Sequence, residues 1–239
     1  MLTLAIDTSS KMESVALLND REVISEQSNM VKTNHAASLL LSIKHTLSTT
    51  GVGIEEIDLF ALTTGPGSFT GLRIAASTVK GLALATGKPV VGIQTLKALA
   101  FNVVPFHKII CPFMDAKRNE VYTALYRFGA NDLLEEILSA RVTSPNDFLK
   151  NLPQDVFFLG DGVQKHFHLI EELFHGKAFF APSHVHSIRA AAVGLLGIDC
   201  YSKGLLLDSL TFTPGYLRLP DAEMKIKNEK ATIENNYKT

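Results

Sequence analysis

Two stretches of this sequence place oxygen-rich or glycine-rich groups where a folded chain can present them to a ligand. The first is Asp7-Thr8-Ser9-Ser10, which follows an apolar run beginning at Leu2. A carboxylate at the end of a strand can hold a metal through water, and hydroxyls with backbone N–H groups can cradle a phosphate. The same four residues also suit a plain turn closed by an Asx or Ser hydrogen bond, so both readings stay open. The second stretch is Gly65-Pro66-Gly67-Ser68-Phe69-Thr70-Gly71. Glycines let backbone approach a ligand, and the start of a following helix favours an anion. The spacing matches neither familiar phosphate loop. The third Gly comes one residue late for a dinucleotide loop, and Leu72-Arg73 stands where a Walker loop needs Lys and then Ser or Thr. No Asp or Glu occurs between Asp58 and Asp115, so the acid that a dinucleotide fold places on the ribose is missing. The alternative is a tight strand-to-helix connection with close packing.

The other candidates are weaker. His166 and His168 stand two apart on an expected helix and diverge. His184 and His186 can share a face only if extended, and no nearby carboxylate or Cys completes a metal site. Surface or capping roles fit these four better, and no metal site is expected. Asp115-Ala116-Lys117-Arg118 reads as a turn with charges of both signs, and Asp161, between two glycines, as another turn. Neither a nucleophile elbow nor a metalloprotease helix motif is present.

Elements that position these loops follow from the apolar pattern. Leu2–Asp7 reads as a central strand, apolar on both faces, with hairpin partners at 14–18 and 22–27. Asn34 suits an N-cap for a helix over 34–50, and Leu39, Leu40, Ile43 and Leu47 form its apolar stripe. A strand at 59–64 leads into the glycine loop and a helix over 68–86, closed by Gly87. A strand at 89–93 and a short helix at 95–101 follow. The order then repeats loosely: strands at 108–114, 121–127 and 137–143, a helix at 146–152, Val156–Leu159 as a strand, and helices at 165–174 and 187–203. This places an N-terminal lobe at 1–104, a C-terminal lobe at 105–220 and a polar, poorly ordered tail at 221–239.

Composition sets the outer bounds. The 239 residues carry 23 Lys and Arg against 24 Asp and Glu, a net charge of −1, with 46% apolar and 20% charged residues and a mean hydropathy of +0.15. Such a chain is globular, and its charge balance argues against an unaided nucleic-acid groove. Cys111 and Cys200 give no disulfide framework, and the N-terminus lacks the basic segment of a signal peptide. A cytoplasmic protein is expected. The helix over 68–86 has one charge after Arg73, Lys80, and many small residues. Either it is buried in its own lobe, or its outer face packs on another chain.

At the level of whole segments, the sequence resembles the TsaB (YeaZ) family of tRNA threonylcarbamoyladenosine biosynthesis. The resemblance is carried by LAIDTSS, His35 with its helix, TTGPGSFTGLRIAASTVKGLA, KPVVGIQTLKALA, MDAKRNEVYTALY, FLGDG and PGYLRLPDAE, which together span residues 2–223. It implies an α/β protein of the actin/Hsp70-like ATPase fold, two related lobes of mixed sheet plus helices. It implies phosphate loops at Asp7, Thr8, Ser9, Gly65, Gly67, Ser68 and Gly71, with at most weak ATP or ADP binding and no required cofactor. The catalytic relative TsaD carries a metal-binding HxxxH motif whose positions fall here on Thr95 and Leu99, which implies a degenerate, non-catalytic paralogue. The implied role is a dimerisation subunit for threonylcarbamoyl transfer to N6 of adenosine 37 in tRNAs reading ANN codons. The implied partners are TsaD, the ATPase TsaE and, in isolation, a second copy, with tRNA met only through the complex. The surface expected to meet TsaD comprises His35, Ala36, Leu39, Leu40, Leu72, Ala75, Ala76 and Val79. The competing class is an enzyme in its own right, a nucleotide hydrolase or a peptidase.

Overall fold

A computed structural model describes residues 1–31, 35–103, 108–130 and 133–218, without the side chain of His35. The expected N-cap Asn34, the lobe boundary at 104/105 and the tail at 221–239 lie outside the described residues. So does His35 as an interface side chain.

The first sheet is built from β1 (Leu2–Asp7), β2 (Met12–Asn19), β3 (Glu22–Met30), β4 (Leu59–Gly65) and β5 (Val90–Gln94). Its order is β3-β2-β1-β4-β5, antiparallel across the two hairpins and parallel from β1 to β4 to β5. The second sheet is built from β6 (Ile109–Lys117), β7 (Glu120–Phe128), β8 (Leu134–Thr143), β9 (Val156–Leu159) and β10 (Phe179–Phe180). Read from β8, its order is β8-β7-β6-β9-β10, with the same pattern of parallel and antiparallel pairs. The two lobes are therefore topological copies, and β1 and β6 are the equivalent central strands.

One face of the first sheet is covered by α1 (His35–Thr50) and α2 (Phe69–Thr86), packed side by side. Leu4, Ile6, Leu39, Ile43, Ala75, Ala76 and Val79 share one core there. Removing each such aliphatic chain from water contributes roughly 1.5–3 kcal/mol. Glu13 of β2 pins α1 from within, accepting from Ser42 Oγ at 2.7 Å and Ser38 Oγ at 3.1 Å. Ser68 caps α2 and Gly87 ends it in the left-handed region.

The opposite face carries α7 (Ala190–Ser202), which comes from the far end of the chain. Its first two N–H groups bond to Ser14 Oγ and Glu26 Oε1, both on strands of the first sheet, each at 3.0 Å. Two orphan helix donors are thus satisfied by the other lobe. Conversely α3 (Thr95–Ala100) packs on β6 and β7. Helices are thus exchanged between the sheets: α7 packs on the first and α3 reaches the second.

Smaller differences have local causes. The single helix expected over 165–174 is two, α5 (Asp161–Lys165) and α6 (Phe167–Phe174), broken where His166 leaves helical geometry at φ −111° and ψ 15°. The helix expected over 146–152 is the shorter α4 (Pro145–Leu149). The two-residue β10 is too brief to leave a pattern. Among the described residues, no helix is long and apolar enough to cross a membrane.

Candidate functional site

The carboxyl ends of β1, β4 and β6 meet the start of α5 at a cleft of 460 Å³ between the lobes. This is where open α/β sheets bind ligands. Both loops singled out in the sequence lie here, yet they are engaged chiefly with each other. Thr8 donates its hydroxyl to the Gly71 carbonyl at 2.7 Å, and the Ser68 N–H donates to the Ser9 carbonyl at 2.7 Å. A Cβ on Gly67 would collide with the Ser9 carbonyl, and one on Gly71 with the Thr8 carbonyl. The glycines therefore let the two loops approach each other closely. Gly65, whose peptide to Pro66 is cis, abuts the backbone of Gly215.

Asp7 is fully buried behind Ser9 and does not line the cleft. Its Oδ1 accepts from the Ser9 and Thr63 hydroxyls, each at 2.6 Å, and from the Ser9 N–H at 3.2 Å. Its Oδ2 has no partner. Burial outweighs these bonds and pushes the carboxyl up to about 6.

The opposite wall holds the group that sequence reasoning passed over as a turn. Asp115 accepts from Lys117 Nζ at 2.8 Å, Lys165 Nζ at 3.0 Å and the Lys117 N–H at 3.0 Å. Burial works upward on this carboxyl, but the bonds from Lys117 and Lys165 prevail and hold it down at about 2. Asp161, at the start of α5, accepts from the Asp115 N–H at 2.9 Å, and burial raises it. The hairpin tip is unusual: Lys117, Arg118 and Asn119 all have positive φ, 63°, 51° and 58°. Two such residues make the turn type that tight hairpins favour, and it ordinarily draws Gly or Asn. Here it presents two cations to the cleft.

A third part is the strap at 214–218. Gly215 N–H donates to the Thr64 carbonyl at 2.7 Å, and Tyr216 stacks on Phe69 with ring centroids 4.8 Å apart. The Arg73 guanidinium lies 3.8 Å above Phe69 and donates to the Tyr216 hydroxyl at 3.2 Å. Arg218 then crosses to the other lobe, bonding the Ala116 carbonyl at 3.1 Å and pairing with Glu120. Its two ends thus tie β4 and α2 to the hairpin of β6 and β7.

Two of the histidines are held by their neighbours. His166 packs edge-on against Phe113, and His186 Nδ1 accepts from the Gly160 N–H at 3.0 Å. Burial lowers both. Among the described residues, no three His, Cys, Asp or Glu side chains are grouped to hold a metal. Thr95 and Leu99 sit fully buried on α3.

The expected contact residues divide. Leu39, Leu72, Ala75, Ala76 and Val79 face their own core, with exposures of 0, 0, 0, 5 and 0%. They cannot be offered to a partner by the folded chain, and this corrects the expectation for those five. Ala36 and Leu40 do face outward. The large apolar side chains that α1 and α2 expose are Leu40, Leu41 and Leu84, at 55, 66 and 72%.

Over 234 aligned residues the chain is 32% identical to the tRNA threonylcarbamoyladenosine biosynthesis protein TsaB of Bacillus subtilis, covering 96% of this chain and all of that one. The chain belongs to the TsaB family. The sequence model described as TsaD, tRNA N6-adenosine threonylcarbamoyltransferase, matches residues 22–226, so TsaB and TsaD chains are related over almost this whole length. In three dimensions it is similar to YeaZ from Pseudomonas aeruginosa, with a TM-score of 0.74 and 27% identity over 90% of this chain and all of that one. A more distant likeness is to (R)-2-hydroxyglutaryl-CoA dehydratase component A of Acidaminococcus fermentans, with a TM-score of 0.50 at 12% identity, which concerns the fold alone. The fold is the actin/Hsp70-like one, two mixed sheets of common topology.

Proposed function

We propose that this chain is a non-catalytic subunit in threonylcarbamoyladenosine biosynthesis, required for threonylcarbamoyl transfer to N6 of adenosine 37. It acts by pairing with TsaD, recruiting the ATPase TsaE and meeting tRNA only through that complex. In the absence of TsaD a second copy takes the same surface. The observation that carries this reading is the outer face of α1 and α2, where Leu40, Leu41 and Leu84 stand more than half exposed. Large apolar groups left exposed on two adjoining helices mark a surface that another chain covers. Family membership supports the pathway. Thr95 and Leu99, where the resemblance to TsaD places histidines, offer no imidazole, which supports a degenerate paralogue.

The deciding experiment is reconstitution. Modified tRNA is assayed in a mixture of TsaD, TsaE, the adenylate-forming enzyme and this chain, and again with this chain left out. Loss of modification on omission is expected; full activity without it ends the proposal. The surface is tested by sizing Leu40→Glu and Leu84→Glu, which leave the core intact. Both are expected to weaken pairing with TsaD and self-association.

A second reading has its own observation in the 460 Å³ cleft at the junction of the lobes. It is that the chain weakly binds ATP or ADP there, and in its strong form hydrolyses it. Turnover by the purified chain alone, lost in Lys117→Ala, would replace the scaffold reading with an enzymatic one.

A further inference from the structure

Helix α1 is turned about its axis away from the face its own pattern selects. Its most continuous apolar stripe is Leu39, Leu40, Ile43 and Leu47, and at about 100° per residue a helix packed by that stripe alone would bury all four. The folded chain instead buries Leu39, Ser42, Ile43 and Thr46 and leaves Leu40 more than half exposed. The two faces differ by roughly 60° of rotation. Apolar burial does not account for the observed phase, since turning Leu40 inward and two hydroxyls outward would remove more apolar surface from water. The cause lies in the sheet beneath. Glu13 stands two and four residues before Val15 and Leu17 on β2, shares their face toward the α1 core, and is itself buried. Its Oε1 takes the hydroxyls of Ser38 and Ser42. Gln27, on β3, donates through Nε2 to the Thr46 hydroxyl at 2.8 Å and to the Ser42 carbonyl. Ser38, Ser42 and Thr46 stand four residues apart, so these bonds draw one polar stripe of α1 inward along two turns.

We propose that Glu13 and Gln27 are positioning residues that fix the rotational phase of α1 and so keep Leu40 on the face offered to a partner. The proposal rests on the docking reading of the α1 and α2 surface and names what sets that surface. A carboxyl group buried among hydroxyls adds little stability over a packed aliphatic chain, but it accepts only one arrangement of its donors. A single polar residue in an apolar seam fixes helix register by the same means. Without the pair, nothing draws the hydroxyls at 38, 42 and 46 inward, and burial of Leu40 turns the helix. The second oxygen of Glu13 has no donor among the described residues, so its hold on α1 runs through the two hydroxyls on Oε1. Leu41 lies on the far side of the helix in either phase, which makes Leu40 the docking residue that the pair controls.

Thiol labelling of the full chain reads the phase directly. Leu40→Cys or Thr46→Cys is made in a chain carrying Cys200→Ser, Cys111 being fully buried, and each is reacted with a maleimide in dilute solution. With Glu13 in place, labelling is expected to be fast at 40 and slow at 46. Glu13→Met together with Ser42→Ala replaces both partners by apolar groups, a change that costs little stability. It is expected to slow labelling at 40 and to speed it at 46, by about tenfold each. Glu13→Gln keeps the acceptor and is expected to label as the parent does. Gln27→Met, on the edge strand, is expected to shift both rates in the same directions by less, and it decides the matter if circular dichroism shows the double variant unfolded. Faster labelling at both positions is loosening without rotation and overturns the proposal, as do unchanged rates. The docking reading is tested apart from it, in the parent: protection of Leu40→Cys that grows with chain concentration is expected. Its absence ends that reading, and with it the purpose assigned to the pair, an outcome distinct from either of those.

Discussion

The two lobes share one strand order, and each ends its central strand near an Asp, but they treat that carboxylate in opposite ways. In the first lobe Asp7 is sealed in with two hydroxyls and one backbone N–H as partners, and burial pushes it up to about 6. In the second, Asp115 opens to the cleft, and two lysines hold it down at about 2. The same corner of one topology has become a packing joint on one side and an electrostatic site on the other. Fold repetition therefore does not carry chemistry from lobe to lobe; the neighbours within a few ångströms decide it.

The largest expected effect breaks the packing joint itself. Gly71→Ala drives a methyl into the Thr8 carbonyl, which is backbone and cannot swing aside. A loss of about 3 kcal/mol or more is expected, at the upper end for overpacking, read as a shifted urea midpoint. A midpoint within error of the wild type would mean that the two loops are not in contact.

Next comes the sign of the pH dependence. Asp7 in the folded chain binds a proton that the unfolded chain has released between about pH 4 and 6. Stability from this group is therefore present at low pH and falls as pH rises through about 6, by on the order of 2–3 kcal/mol. Asp115 runs the other way. Its contribution is present above pH 4 and is lost as pH falls toward 2. Subtracting the Asp7→Asn profile of thermal midpoint against pH from that of wild type isolates the first effect. Subtracting the Asp115→Asn profile isolates the second, for which about 1 kcal/mol is expected near neutrality as the lysine bonds weaken. Differences of the same sign would erase the contrast between the lobes.

That contrast was only half legible in the sequence. The first lobe could be read closely, because its loops join neighbouring segments and their residue types announce turns: β1 is found at its expected ends, and α2 starts one residue inside them. The second site could not. Asp115 takes its meaning from Lys165, 50 positions away, and from Asp161, 46 away. No local window holds that information. The helix faces failed for a different reason. The resemblance points to whole helices and not to their faces, so its contact residues include Leu39, Leu72, Ala75, Ala76 and Val79, which the chain buries by itself. A surface kept for a partner is the weaker, second stripe, and Leu40 and Leu84 emerge only once the first has been assigned to the core.

The smallest effect sharpens the comparison inside one helix. Gly81 lies ten residues along α2 from Gly71, on the exposed face, with nothing within 4 Å of an added Cβ. The same Gly→Ala change is expected to stabilise here by about 0.5–1 kcal/mol, since only backbone entropy is at stake in an open helix position. Opposite signs for one substitution at two places on one helix follow from what each position faces, carbonyl or solvent. The gain should hold at every protein concentration if that face is bare. If a second copy covers it, the added methyl meets that copy, and the gain present at low concentration shrinks as the chain associates. Unfolding Gly81→Ala and wild type across a concentration series therefore reads both the propensity of the helix and the occupancy of its outer face.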